Sequence, residues 1–235
     1  MKKIVCLIAA LLMGCFVLTA CESEGSSPNT NEPTEFSLWS KESTANVMQD
    51  VAYDEAFKGA AEYKISGGRG EYEAAQLILT APSDADIGSY SIEVSDLKCG
   101  DSVIGKSYID VYNEKYIQVL SSPSELSTGT GWYADALLPF DVAVAYGENT
   151  VEAGENQGIY IETFIPRAAT AGVYTGEFTL TVDGEKYSVP ASVTVYDFDV
   201  SQESHLQTDW INALRAFGEL DSTAAMSQTY FEAIA

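Results

Sequence analysis

The sequence predicts an antiparallel all-β sandwich, immunoglobulin-like or jelly-roll-like, over residues 36–200. Three observations carry this. From Phe36 onward apolar residues recur with a period of two, the repeat of a half-buried strand. The apolar runs are short and separated by Gly, Pro, Ser and Asp clusters, the punctuation of hairpins. Asp183-Gly184 joins two alternating runs, and both residue types tolerate the positive φ that a two-residue type I′ turn demands.

The elements follow in chain order. Glu71–Thr80 alternates Leu77 and Leu79 with Ile78 and ends apolar on both faces. Ser89–Leu97 sets Tyr90, Ile92 and Val94 against Ser91, Glu93 and Ser95, and is expected as one strand. Tyr108–Leu120 holds Ile109, Val111, Tyr116, Ile117 and Val119, and Gln157–Ile165 holds Ile159, Ile161 and Phe164. Thr175–Phe198 is the clearest unit: Phe178, Leu180 and Val182 share one face, then Tyr187, Val189, Ala191, Val193 and Val195 share one on the return strand. Pro190 has no N–H for a ladder, which places it at an edge or a bulge. After Val200 the pattern changes. Leu206–Leu214 is a short apolar stretch with Trp210, and Asp221-Ser222 caps a helical spacing of Met226, Tyr230, Phe231 and Ile234 that has no stop signal. Residues 201–235 are therefore expected to be a linker and the start of another domain.

The N-terminus has a different logic. Lys2 and Lys3 precede an apolar run, Ile4–Val17, of signal-peptide rather than membrane-span length. Leu18-Thr19-Ala20-Cys21 resembles the bacterial lipobox, which implies removal of residues 1–20 and lipidation of Cys21. More than one acyl chain gives the stable anchoring that a single chain does not. After Cys21, residues 22–35 are Ser, Gly, Pro, Asn, Thr and Glu with nothing to bury, so 21–35 is expected to be a disordered tether. The expected location is outside the cell, facing outward from a bacterial membrane.

Composition excludes several chemistries. The chain has 235 residues with 12 Lys and Arg against 35 Asp and Glu, a net charge of −23. Such a surface repels phosphate backbones and anionic lipid headgroups, so no nucleic-acid partner is expected. Aromatics at 11% are enough for a folded core. The single histidine, His205, rules out a multi-histidine zinc site and is read as a solvated hinge residue. No metal site, cofactor or catalytic residue is assigned. Beyond the leader and Cys21 the sole cysteine is Cys99, read as a small strand or turn residue rather than a reactive thiol.

Three groups of residues remain as candidates. Gly131–Pro139, taken as a Gly-bounded loop, sets Trp132 and Tyr133 beside Asp135. Aromatic faces stack on pyranose C–H faces while a carboxylate accepts from hydroxyls, so this is a candidate carbohydrate site. Alternatively it is a structural or domain-interface feature, with Trp132 covering the end of the sandwich and Asp135 capping a turn or pairing with Arg69. Glu71 and Glu73 share a strand face, where paired carboxyls suit glycoside acid–base chemistry or are solvated strand-entry charges beside Arg69. Asp84, Asp86 and Asp96 lie in turns without the order of a calcium loop.

Five segments occur in series: Arg69–Gln76 (RGEYEAAQ), Gly131–Pro139 (GWYADALLP), Gln157–Pro166 (QGIYIETFIP), Ala171–Gly176 (AGVYTG) and Val195–Phe198 (VYDF). Together they resemble the N-terminal β-sandwich region of family 123 glycoside hydrolases and their relatives, over roughly Phe36–Val200. Ala134 departs from the proline frequent in relatives. The resemblance implies a (β/α)8 catalytic barrel after the sandwich, with Leu206–Ile211 similar to its first strand and Thr223–Ala235 to its first helix. It also implies an N-acetylhexosaminide-type substrate and catalytic acids on the barrel. Residues after Val200 are too few for a barrel of about 250 residues, so this chain alone is expected to be inactive. The alternative is a free-standing surface glycan-binding or adhesion module.

Overall fold

The computed structural model describes residues 36–121 and 129–203. Cys21, the leader, the tether, His205 and the expected barrel start at 206–235 lie outside the described residues. Among the described residues eleven strands make two sheets. The first has five strands: β1 (Ser37–Glu42), β3 (Tyr72–Thr80), β9 (Asn156–Phe164), β7 (Ile109–Val119) and β8 (Gly131–Pro139), adjacent in that order. The second runs β2 (Tyr63–Arg69), β11 (Glu185–Asp199), β10 (Gly172–Val182), β5 (Leu97–Cys99) and β6 (Ser102–Ile104), with β4 (Tyr90–Glu93) also on β10. One short helix, α1 (Phe140–Ala145), follows β8.

The period-two residues meet between the sheets. Leu77, Leu79, Ile159 and Ile161 from the first sheet face Tyr63, Phe178, Leu180, Val189 and Val193 from the second in one core, all fully buried. Buried polar tips are satisfied across it: Tyr63 Oη and Thr163 Oγ1 lie 2.7 Å apart, and the Tyr90 hydroxyl donates to Asn113 Oδ1.

The expected hairpin is present. Val182 pairs with Glu185, and the turn residues Asp183 and Gly184 have φ of 48° and 89°. Gly184→Val puts a β-branched side chain at that left-handed position and should destabilise the protein by about 1–2 kcal/mol, read by urea unfolding. Pro190 pairs with Glu177, and pairing of β11 with β2 begins one residue later, at Ala191↔Tyr63. Alternating outward from the two-residue turn, the Glu177–Pro190 pair is non-hydrogen-bonded, so no ladder donor is missed.

Four expectations are corrected. The sheets are not purely antiparallel: β2 and β11 run parallel, joined through the whole intervening chain rather than by a hairpin. Ser89–Leu97 is two strands, β4 and β5, both on β10, with Asp96 between them accepting from the Lys106 N–H at 2.8 Å. Gly131–Pro139 is no loop but the edge strand β8, in register with β7 from Tyr112↔Pro139 to Val119↔Gly131. Asp135 does not pair with Arg69, whose ion-pair partners are Asp199 at 2.6 Å and Asp197 at 3.1 Å.

The twenty-residue connection from β1 to β2 folds back as a strap across the outer face of the first sheet. Gln76 Nε2 on β3 donates to the carbonyls of Glu42, Ser43 and Ala45. Asn156 Nδ2 on β9 donates to those of Met48, Gln49 and Val51, and the Gln49 N–H reaches the Trp132 carbonyl on β8. A small second core of Trp39, Val47 and Ile78 forms under the strap.

Candidate functional site

The outer face of the first sheet gathers the polar and aromatic groups that the core leaves over. On β7 the even-numbered residues point outward, because Ile109 and Val111 point in. Outward-facing Glu114 is nevertheless only 4% exposed, and its Oε2 has no hydrogen-bond partner. Two facts bury it. Gly158 on β9 offers no side chain, and a Cβ there would overlap the Glu114 carboxyl. The strap covers it from above: Gln49 lines an opening of about 310 Å³ on one side of Glu114 and Ser43–Asn46 line one of about 370 Å³ on the other. Burial pushes the Glu114 carboxyl up to about 7. Tyr116, two residues on, is also buried; its hydroxyl lies by the Gly158 backbone without a hydrogen bond of standard geometry.

The two openings differ. In the first, Lys115 pairs with Glu148 and Gln49 Nε2 donates to Glu155 at 2.9 Å, with Glu152 beside them. The second, between Glu114, Asp135 and Tyr160, adjoins a row of rings. Tyr112 and Tyr160 are cross-strand partners with ring centroids 6.4 Å apart. At the end of β9 Phe164 contacts Tyr108, in the short turn of helix that leads into β7, at 6.0 Å and Tyr72 on β3 at 4.8 Å. Between the two ring groups stand Asp110 and Glu162, directly opposite each other.

The expected site residues are distributed as follows. Trp132 lines the first opening with Glu114; Tyr133 and Asp135 line the second. A bulge brings them together: Lys115 pairs with Ala136 and Tyr116 with Ala134, so Asp135 is an extra residue on β8. Arg69 belongs to the other sheet and its ion pairs. Glu71 and Glu73 both turn over Gly67, but Glu71 Oε2 accepts from the Gly68 N–H at 2.6 Å, and burial and Glu71 raise the Glu73 carboxyl. That pair lies at the connection from β2 to β3, over the glycines at the end of β2. Asp86 accepts from the Ala153 N–H and Asp96 from that of Lys106, as turn aspartates do. Among the described residues no three His, Cys, Asp or Glu side chains converge as metal ligands. Glu114, Tyr160, Tyr112 and the Asp110–Glu162 pair were not found from sequence. The available signal was Gly158, a glycine inside an otherwise apolar strand.

Residues 47–182 match the family described as the glycoside hydrolase 123 N-terminal domain. The chain belongs to this family. Among solved structures, this family 123 N-terminal domain is similar to a family 123 glycoside hydrolase from Clostridium perfringens, solved in work on glycolipid glycan hydrolysis. The TM-score is 0.57 at 16% identity, over 72% of this chain and 28% of that one. The likeness is one of fold, and the chain spans less than a third of that enzyme's length. Two further structures carry no argument at their TM-scores. One is an enzyme of macrocyclisation in alchivemycin A biosynthesis (0.32, 7% identity, 59% of this chain and 87% of that). The other is the pilus backbone protein of Streptococcus pneumoniae (0.28, 11% identity, 67% and 56%). No curated protein matches the chain.

Proposed function

We propose that this sandwich is the non-catalytic N-terminal module of a lipid-anchored, cell-surface glycoside hydrolase whose catalytic barrel follows it in the parent protein. The observation that carries the reading is the family match over residues 47–182. It is supported by the fold likeness to part of a larger hydrolase. The substrate of the parent would be an N-acetylhexosaminide-type glycan, the class implied by the resemblance. The lipobox at Leu18–Cys21 supports anchoring through Cys21, with residues 21–35 as the tether.

Two experiments test this. Translation of the reading frame past Ala235 should give a (β/α)8 barrel bearing catalytic carboxyls; a stop codon there favours a free-standing glycan-binding module instead. Mass spectrometry of the bacterial membrane fraction should find the mature N-terminus at an acylated Cys21, and a soluble product starting elsewhere contradicts the anchor.

A further inference from the structure

Three features of the outer face of the first sheet are unexplained by folding. Asp110 and Glu162 are direct cross-strand partners of like charge, an arrangement that weakens a sheet. Glu114 is buried with an oxygen that nothing satisfies. Tyr72 is 61% and Tyr108 42% exposed, on the face that also carries Phe164, Tyr112 and Tyr160. Each is a cost to stability or solubility, and all lie on one continuous surface.

A single class of ligand answers all three. Rings before and after a pair of acceptors, about 13 Å apart at four residues' rise, suit a ligand with alternating apolar faces and hydroxyl donors. A phosphate-bearing ligand is repelled by the acids, in a chain of net charge −23. A second protein domain seated here would have to desolvate Asp110 beside Glu162, which is expensive without a cation between them. We propose that this face is a carbohydrate-binding track. A neutral, hydroxyl-rich glycan lies along the Tyr108/Phe164 and Tyr112/Tyr160 rings, with Asp110 and Glu162 accepting from its hydroxyls. Its end enters the opening shared by Glu114 and Asp135.

The track rests on the glycoside-hydrolase reading only for the choice of probe sugars. If a barrel follows Ala235 but no sugar binds, the track alone falls. If sugar binds and no barrel follows, the parent-enzyme reading alone falls.

The test is isothermal titration of the full chain with galactose, N-acetylgalactosamine and lactose at physiological salt, with a lysine-rich peptide as the competing cationic probe. Tyr108 is a surface residue, so Tyr108→Ala leaves the fold intact, and circular dichroism of each variant checks this. At least one sugar should bind in the millimolar range or tighter. Tyr108→Ala and Tyr160→Ala should each weaken it tenfold or more, Glu162→Gln should weaken it several-fold, and Arg69→Ala, in the other sheet, should leave it within twofold. Absence of binding by all three sugars overturns the proposal. So does sugar binding that both tyrosine variants leave within twofold. Salt-sensitive binding of the peptide alone also overturns it and makes the face a site for basic polypeptide.

Discussion

At pH 8 the Glu114→Gln protein is expected to be more stable than the parent by about 2–3 kcal/mol, and at pH 4.5 the two should agree within about 1 kcal/mol. The buried carboxyl holds its proton to about pH 7, against 4.5 when solvated. The folded protein therefore binds a proton that the unfolded chain has released, and stability falls as pH rises between those values. At 1.36 kcal/mol per unit the full loss is about 3 kcal/mol, complete above pH 7. Glutamine fills the same space and cannot ionise. Global repulsion in this acidic chain also grows with pH, but it is nearly common to both proteins, so their difference isolates Glu114. At about 2–4 °C per kcal/mol for a chain of this size, the melting temperatures at pH 8 should differ by about 5–10 °C. Parallel curves for the two proteins across pH 4.5–8 would mean that Glu114 is solvated or paired in solution.

The second large effect lies in what keeps Glu114 dry. Asn156 is 2% exposed; its amide donates to the carbonyls of Met48, Gln49 and Val51 at 3.0, 3.3 and 2.8 Å, and its Oδ1 accepts from Thr80 Oγ1 at 2.7 Å. Asn156→Ala removes every one of these and leaves strap carbonyls unsatisfied. The expected loss is about 2–4 kcal/mol by urea unfolding at pH 5. With the strap loosened, water reaches Glu114, its carboxyl titrates nearer the ordinary value, and part of the pH dependence disappears. The loss should accordingly be smaller at pH 8 than at pH 5. An equal loss at both values would show that Gly158 and the sheet, not the strap, bury the carboxyl.

The core was legible because the strands that build it keep strict alternation. Phe178 opposite Val189, Leu180 opposite Tyr187 and Tyr174 opposite Val193 meet in the register that the Asp183-Gly184 turn dictates. Strand β8 was not, for a local reason. Trp132 and Ala134 are even-numbered, whereas Leu137 and Pro139 are odd, because the bulge at Asp135 shifts the outward face by one residue. Without the partner strand the segment has no period and looks like a loop. Strand β2 was missed for the same want of pattern: its Tyr63 and Ile65 are followed by Ser66, Gly67 and Gly68, which look like turn residues.

The face itself was half legible. Trp132 and Asp135 stand out as residue types, and they do line the openings beside Glu114. Glu114 does not stand out, since Asn113-Glu114-Lys115 looks like a polar break in a strand. It is buried by a strap about seventy residues earlier and a glycine about forty later, contacts that only the folded chain brings together. Likewise Tyr112 and Tyr160, or Asp110 and Glu162, become pairs only once β7 and β9 are in register.

The most direct measurement of the central claim, that the outer face of the five-stranded sheet is built to hold a glycan, is an amide chemical-shift map of the full chain titrated with N-acetylgalactosamine and lactose. The predicted result is a set of saturable shifts confined to Tyr108–Tyr116, Gly158–Phe164 and Ala134–Leu137, with Arg69 and the Asp183-Gly184 hairpin unmoved. Shifts confined to the opposite sheet, or none up to tens of millimolar sugar, would contradict it.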